Sequence, residues 1–254
     1  SRHKKISTIS FHLRERKLMF KRKLAISMVF ALTLGVAGTS AEAAPKNKSK
    51  EDDLASFTFI HAIPVTFGAD KVDVYSNGQL IFDNATPGTS KSFSVNAGVQ
   101  QIAVYPDGVL PSSETASVLS YRPIYLPKHS NVSFVAHLTS ANKPQLSLFK
   151  NMNTEPGSKR SWLTVRHVAG APNVDVRADS KLLFRSLANG DERKISLRFG
   201  TYSVDVVLAG TSTVAIPATN LVIKDNIGYI VYAWGSASKG NLQYLVQQIT
   251  PRKE

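Results

Sequence analysis

The sequence predicts an all-β protein that consists of two tandem antiparallel β-sandwich domains. A long internal repeat is the first observation: Val72-Asp73-Val74-Tyr75 returns as Val174-Asp175-Val176-Arg177, 102 positions later. Short strand-like runs, separated by turn residues at roughly 8–12-residue intervals, are the second. No window shows the 3.6-residue period of an amphipathic helix. A period this long indicates a repeated domain, because solenoid units repeat every 20–50 residues or so.

The first 55 residues are expected to be a leader and a tail. From Met19, a basic run at 21–23, an apolar run at 24–36 and small residues around Ala43 form a secretory signal over 19–43, cleaved after Ala43. Residues 1–18 are a doubtful leader extension, since such a signal normally begins the chain. The apolar run is shorter than the roughly 20 residues that span a bilayer. We therefore expect an exported protein with no membrane span after cleavage, and a flexible mature tail over 44–55.

The first domain is predicted over 56–152. Strand-like residues flank Asn77-Gly78, which is the strongest short hairpin signal because a type I′ turn needs positive φ at both central residues. Pro87-Gly88 and Asn96-Ala97-Gly98 indicate the next turns. Strands are expected at 57–60, 72–75, 80–82, 92–95, 101–105, 116–121, 131–138 and 145–149.

A polar linker over 153–161 leads to the second domain, predicted over 162–250. Asp179-Ser180 stands where the first copy has Asn77-Gly78, and is a weaker turn signal. Strands are expected at 162–165, 173–177, 181–185, 202–208, 214–222, 228–234 and 242–249. We expect the two domains to share a topology and to pack through a modest interface.

Charge and cysteine content narrow the class of protein. The chain has 254 residues and a formal charge of +13, but nine of its basic residues precede position 44, which leaves a mildly basic remainder. Nucleic-acid binding is not expected, since it would need clustered cations beside stacking aromatics. Weak attraction to an anionic envelope polymer or membrane surface remains open. The absence of cysteine rules out disulfides and a cysteine-linked lipid anchor, and Leu126-Pro127-Lys128-His129-Ser130 is an incomplete sortase signal.

The motifs together resemble a known exported bacterial family, domain of unknown function 4397. The likeness rests on His61-Ala62-Ile63-Pro64, Val72-Asp73-Val74-Tyr75, Pro87-Gly88, and Gly98 followed by Ile102-Ala103-Val104. The second copy keeps His167 and Val174-Asp175-Val176 but has Ala169-Gly170-Ala171-Pro172 instead of the close His-Ala-x-Pro spacing. The resemblance implies tandem immunoglobulin-like sandwiches outside the cytoplasm. It implies no known activity and no catalytic residue.

His61, His167, Asp73 and Asp175 are the candidate binding residues. In one interpretation they contact a ligand or a metal; in the other they hydrogen-bond main-chain atoms and brace each domain. The recurrence of both pairs favours bracing, because a fold-defining contact recurs in every copy. Phe67, in an insert of the first copy, is a further candidate ligand contact. Other loop aromatics, Tyr121 and Tyr125, could stack on sugars or cover the core, whereas Trp162 and Trp234 are expected in a core or an interface.

Signals for catalysis are weak. Ser236-Ala237-Ser238-Lys239 matches Ser-x-x-Lys, but it lies between strands, where the required helical turn is not expected. We expect no catalytic residue, no metal and no cofactor. The leading hypothesis is a secreted or envelope binding or adhesion module that recognises an envelope polymer, glycan or protein through inter-strand loops such as Ile63–Asp70 and Asp107–Ser113. The alternatives are an envelope hydrolase with a Ser/Lys or His/Asp site, and a structural spacer of a surface assembly.

Overall fold

The computed structural model describes residues 53–252, which form eighteen β-strands and one turn of 3-10 helix, with no α-helix in this range. The all-β prediction is confirmed. The leader extension, the signal and most of the tail lie outside the described residues. Within that range, no helix is both long and apolar enough to cross a bilayer.

The first half of the described chain contains two four-stranded sheets and one small two-stranded sheet. Their strand orders are β10-β9-β1-β4, β3-β2-β6-β7 and β5-β8. Neighbouring strands are antiparallel, except that β1 runs parallel to β9. The strands are β1 (Leu54–Ala62), β2 (Val72–Ser76), β3 (Gln79–Ala85), β4 (Ser90–Asn96), β5 (Gly98–Gln100), β6 (Ile102–Pro106), β7 (Leu119–Ser120), β8 (Ile124–Leu126), β9 (Asn131–Leu138) and β10 (Pro144–Lys150).

The second half repeats this arrangement with longer strands. Its sheets have the orders β14-β11-β17-β18 and β13-β12-β15-β16, and β11 runs parallel to β17. Each strand in these orders corresponds, in chain order, to a strand of the first half. The strands are β11 (Arg160–His167), β12 (Val174–Ala178), β13 (Lys181–Leu187), β14 (Glu192–Arg198), β15 (Gly200–Leu208), β16 (Val214–Ile223), β17 (Gly228–Trp234) and β18 (Gln243–Ile249).

Two details differ from the sequence prediction. The parallel β1–β9 and β11–β17 pairs make one sheet of each half mixed, whereas an all-antiparallel arrangement was predicted. The run 116–121, predicted as a strand, contributes only Leu119 and Ser120, because residues 107–118 form a long loop instead. Sequence periodicity shows which residues can form a strand, but it does not show which of them pair with a neighbouring strand.

The β2–β3 hairpin turns at Asn77 and Gly78, whose φ angles are 50° and 79°. This confirms the turn predicted from the Asn-Gly pair. Asp179 and Ser180 adopt the same conformation, with φ of 50° and 63°, although neither is glycine. The weaker signal therefore encodes the same turn, since a short polar side chain such as that of aspartate tolerates positive φ.

Each half has its own apolar core between its sheets. In the first half, Phe57 and Phe134 are fully buried and meet edge to face, with ring centroids 5.6 Å apart. In the second half, Leu163, Val165 and Val176 take the central positions. The alternation of inward and outward residues along β1 and β11 thus builds two cores, as the sequence pattern predicts.

A third apolar cluster joins the two halves. It includes Ile60 and Val135 from the first half and Ile230, Tyr232 and Trp234 from the second. Gly88 packs against the Trp234 ring, where an added methyl would lie 3.1 Å from the nearest ring carbon. The described residues accordingly fall within one compact unit.

Polar groups inside this interface form a connected chain across the halves. The Tyr232 hydroxyl donates to Gln247 Oε1 at 2.7 Å, and Gln247 Nε2 donates to Thr58 Oγ1 at 2.9 Å. Ser133 also donates to Gln247 Oε1, at 3.1 Å. Because buried polar groups without partners are costly, these bonds fix the register of one sheet against the other.

Arg166 is the only charged side chain among the largest fully buried residues of the described chain. It donates to Glu192 Oε2 at 2.8 Å, to the Tyr232 hydroxyl at 2.7 Å and to the Lys150 carbonyl at 3.2 Å. Its guanidinium also stacks on Phe149, 4.6 Å from the ring centroid. Arg166 therefore links three strands. Two belong to its own sheet, the edge strand β14 and the neighbouring strand β17, and the third is β10 of the other half.

Candidate functional site

A groove on the open side of the first half is a candidate ligand site. It has a volume of about 330 Å³, which is at the lower end of small-molecule sites. It lies between β8, which pairs with β5, and the edge strand β10, which pairs with β9. Its aromatic and polar lining residues are Tyr125, Ser130, Asn131, Lys150, Asn151 and Asn153.

Tyr125 gives the groove an exposed aromatic wall. Its side chain is 62% exposed, although it stands between Ile124 and the fully buried Leu126 on β8. Strand alternation explains this, because neighbours whose side chains turn to the core leave Tyr125 facing the opposite side. Tyr121, the other loop aromatic, packs on Phe134 with a centroid distance of 5.6 Å. Of the two tyrosines, only Tyr125 presents its ring to solvent.

Three asparagines form the polar wall of the groove, and their amides are held in place. Asn151 Nδ2 donates to Asn131 Oδ1 at 2.7 Å and to Ser133 Oγ at 3.0 Å. Asn153 Nδ2 donates to the His129 carbonyl at 2.9 Å. Lys150 adds an exposed ammonium beside them. Fixed amides and a ring across a cleft suit a ligand with both hydroxyl groups and an apolar face.

Sequence reasoning singled out Tyr125 but missed the asparagines. They stand at the ends of β9 and β10, which are separated along the chain by a whole hairpin. The loops expected to make contacts, 63–70 and 107–113, do not line this groove. Only the sheet pairing brings β8, β9 and β10 to one side of the fold, so their meeting carries no local sequence signal.

His61 and His167 are buried and bonded to the main chain of the loop that follows their strand. His61 Nε2 lies 2.5 Å from the Ala69 carbonyl, and Nδ1 accepts the Ile63 N–H at 3.3 Å. His167 repeats this with the Pro172 carbonyl at 2.8 Å and the Ala169 N–H at 3.3 Å. Burial lowers the pKa of both imidazoles. Both nitrogens of each ring are thus engaged, as in the bracing interpretation.

Asp73 and Asp175 bind main-chain N–H groups at two other turns, again in matching positions. Asp73 accepts from Asn84 and from Gly108, each at 2.9 Å. Asp175 accepts from Ser186 at 2.7 Å and from Gly210 at 3.1 Å. These N–H groups lower the pKa of the Asp175 carboxyl, because they bond its charged form. No hydrogen bond within residues 53–252 joins these aspartates to the two histidines.

Asn84 and Ser186 have positive φ, 55° and 49°, at irregular positions of the β2–β3 and β12–β13 pairing. The aspartates therefore stabilise a strained bulge in each half. Asp175→Ala is expected to lower the free energy of unfolding by about 2 kcal/mol, because two charge-assisted hydrogen bonds are lost. Urea denaturation measures this loss. Asp225→Ala, at an exposed carboxylate, should change it by less than about 0.5 kcal/mol; equal losses in both variants would contradict the bracing role.

The remaining candidates lie in different surroundings. Phe67 is half-buried against the first core. Asp73 also lies with Asp83 and Asp107 in a carboxylate cluster whose oxygens are within 4.8 Å of one another. Both oxygens of Asp73 already accept N–H bonds, and Asp107 is paired with Lys71 at 3.3 Å. These contacts leave Asp73 and Asp107 already engaged within the protein.

Ser236, the candidate hydrolase nucleophile, is fully buried. Its hydroxyl donates to Asn142 Oδ1 at 2.7 Å and lies 2.9 Å from the Ser238 hydroxyl. Ser236 immediately precedes the 3-10 turn Ala237–Lys239, and the Lys239 side chain is exposed. The geometry lacks the bond from hydroxyl to base that activates a serine in a Ser-x-x-Lys enzyme.

Comparisons with known proteins give one family match. Residues 55–177 match the model of a family described as "Domain of unknown function (DUF4397)". No curated protein matches the sequence. A solved structure titled "The Bacillus anthracis TIE protein" aligns with 14% identity over 78% of this chain, with a TM-score of 0.22. The alignment covers 34% of that protein, so this chain spans about a third of its length.

Proposed function

We propose that this protein is an exported, non-enzymatic binding module of the cell envelope, and that its first half binds a glycan in the groove beside Tyr125. The groove carries the proposal, because it combines an exposed ring with fixed amides in a cleft of suitable size. The apolar face of a sugar ring packs on tyrosine, while its hydroxyls bond to the amides of Asn131 and Asn153, and buried Asn151 holds Asn131 in place. Glycan is one of the three partner classes that the sequence leaves open.

Export and tandem duplication are parts of the same proposal. The leader architecture over 19–43 and the family match over 55–177 support an extracytoplasmic location. The shared strand order, the shared hairpin conformation and the matching His and Asp contacts support two copies of one ancestral domain. We infer that these copies are immunoglobulin-like sandwiches covering about 56–152 and 162–250.

The hydrolase alternative has less support in the described residues. Ser236 is buried and bonded to an amide, and each candidate histidine uses both nitrogens on main-chain atoms. A general base needs a free position within hydrogen-bond reach of its proton donor. A binding module, in contrast, needs only a shaped surface with fixed polar groups.

Tyr125→Ala tests the groove. The probes are short neutral oligosaccharides of hexose and N-acetylhexosamine, titrated calorimetrically against the purified protein. We expect the variant to weaken the tightest of these by about tenfold or more, since each 1.4 kcal/mol of lost contact is tenfold in affinity. Tyr244→Ala is the matched control, because this tyrosine lies in the second half and is 41% exposed. The affinity of this variant for the same oligosaccharide should stay within about twofold of that of the unmodified protein.

Two results would overturn the proposal. One is that no oligosaccharide binds, while a substrate screen detects hydrolase activity in the same preparation. The other is that both tyrosine variants weaken binding equally, which would assign the effect to the surface in general rather than to the groove.

A further inference from the structure

The outer side of the β11–β14 pair in the second half carries a basic face, defined here as Arg160, Trp162, Lys194, Ser196 and Arg198. The ladder sets Arg160 opposite Arg198 and Trp162 opposite Ser196, and Lys194 faces Thr164. Alternation along both strands brings these residues to one side of the sheet. Lys194 and Arg198 are exposed, and Arg160 and Trp162 are half-buried. The face is therefore accessible.

The cations of this face are arranged around Trp162 and Ser196. The Lys194 ammonium lies 5.4 Å from the centroid of the Trp162 ring. Arg160 donates to Ser196 Oγ at 2.8 Å and to the Ser196 carbonyl at 2.6 Å. Within residues 53–252, the ion pairs involve other residues, so none of the three cations has a carboxylate partner there. Like charges directly opposite each other destabilise a ladder, which makes Arg160 and Arg198 a cost to the fold.

The first half shows that the fold does not require these charges. The same ladder positions in β1 and β4 pair Leu54 with Asn96, Ser56 with Ser94, and Thr58 with Ser92. All six side chains are uncharged. Three cations and a tryptophan thus occupy a register whose counterpart forms the same sheet with neutral residues. The charge of the second half is a feature of its surface rather than of its architecture.

We propose that the basic face binds a linear envelope polymer that carries phosphodiester groups. Guanidinium forks pair with phosphate oxygens through two parallel hydrogen bonds, and lysine contributes a point charge. Lys194 and Arg198 are four residues apart on one strand, which separates them by about 13 Å. This spacing suits successive charges of an extended chain. The half-buried Trp162 ring adds an apolar contact between the anionic groups.

This inference is independent of the glycan groove, because the two sites lie in different halves. It also differs from the recognition of single-stranded nucleic acids, which uses several aromatic rings to stack successive bases. Trp162 is the one aromatic among the five residues of the basic face. Binding to DNA is therefore an outcome of the test and not part of the proposal.

The experiment measures binding of a fluorescent synthetic poly(glycerol phosphate) to the full chain at about 50 and about 200 mM salt. The test variant is Lys194→Ser with Arg198→Asn, which takes the residues that the first half has at these ladder positions. The control is Lys143→Ser with Lys239→Asn, which removes the same charge from exposed positions elsewhere. We expect the test variant to lose at least about tenfold in affinity. The slope of log affinity against log salt concentration should become shallower by about two. The affinity of the control should stay within about threefold of that of the unmodified protein. Circular dichroism and the thermal midpoint check that both variants are folded.

Each other outcome overturns the proposal. Equal losses in the two variants would mean attraction to net charge alone. Equal affinity for polygalacturonate would show that the basic face does not select phosphate groups. Tighter binding to duplex DNA than to poly(glycerol phosphate) would show that the face is a nucleic-acid surface. The absence of binding to poly(glycerol phosphate) would reject the site outright. Tyr125→Ala should leave this affinity unchanged, so the failure of one site is distinguishable from the failure of the other.

Discussion

Acidification from about pH 7 to about pH 4.5 is expected to destabilise the protein by several kcal/mol, because three buried histidines are held neutral. Burial lowers the pKa of His137 to about 4, from a value near 6.5 in the unfolded chain. The unfolded state therefore takes up a proton first, and stability falls as the pH drops through this window. At 1.36 kcal/mol per pKa unit, His137 alone contributes about 3 kcal/mol. His61 and His167 shift in the same direction.

Burial of the ring is the main cause of the lowered pKa of His137, and its contacts determine which nitrogen carries the proton in the neutral form. Nδ1 lies 2.9 Å from the Leu138 carbonyl, which sets the proton on that nitrogen. Nε2 lies 2.9 Å from the Ser147 hydroxyl and 3.0 Å from Gln145 Nε2, two groups that can donate to it. A second proton on Nε2 would face the Gln145 amide group. The charge of a protonated His167 nearby would also oppose it.

Urea denaturation as a function of pH measures the effect. His137→Gln cannot be protonated, so its unfolding free energy should fall less steeply between about pH 6.5 and about pH 4 than that of the unmodified protein. His129→Asn changes an exposed histidine and should keep the original slope. An unfolding free energy that stays flat over this range in the unmodified protein would contradict the prediction.

Arg166→Ala is expected to lower the free energy of unfolding by about 3 kcal/mol, since it removes a fully buried side chain from the contact between the halves. The stack on Phe149 is lost, as is the bond to the Lys150 carbonyl. Glu192, whose side chain is 42% exposed, keeps its hydration and adds little to the cost. The loss therefore comes from packing and hydrogen bonds rather than from a stranded charge.

Arg166→Met separates these contributions. A buried charge is expensive to desolvate, so an apolar side chain of similar length should cost less than about 1.5 kcal/mol. Glu192→Gln leaves the guanidinium buried without its carboxylate and should cost about 2 kcal/mol. Denaturant midpoints of the three variants give the order. If Arg166→Met were as damaging as Arg166→Ala, the guanidinium and its hydrogen bonds, rather than packing, would be the main stabilising feature.

Local patterns predict the strands and hairpins of this fold well. Asn77-Gly78 needs positive φ at both positions, so a hairpin follows from the pair alone. Most residues of the interface between the halves were not predicted, because the prediction considered one buried side of each strand. β17, Gly228–Trp234, is buried at every position. Such a continuous apolar run is the signal of a strand covered on both sides, and it was available in the sequence.

The roles of individual polar residues were harder to predict. The recurrence of His61 as His167 indicates a contact that belongs to the fold, but the partner is a carbonyl five to eight positions later, which has no residue type. The asparagines of the groove are brought together by pairing between strands. The basic face was missed because its three cations come from two strands, and only the pairing of β11 with β14 brings them to one side of the sheet. In the chain, Lys194 ends the mixed charge run Asp191-Glu192-Arg193-Lys194, which gives no sign of a basic surface.

The cluster of Ile60, Val135, Ile230 and Trp234 has a consequence for affinity. Because it packs the halves against each other, the groove of the first half and the cations of the second are held closer to a fixed separation than modules on a flexible tether. A polymer that reaches both would meet its second contact at a high effective concentration, and weak individual contacts would multiply into avidity. Loosening that cluster would abolish this gain without altering a residue in either site.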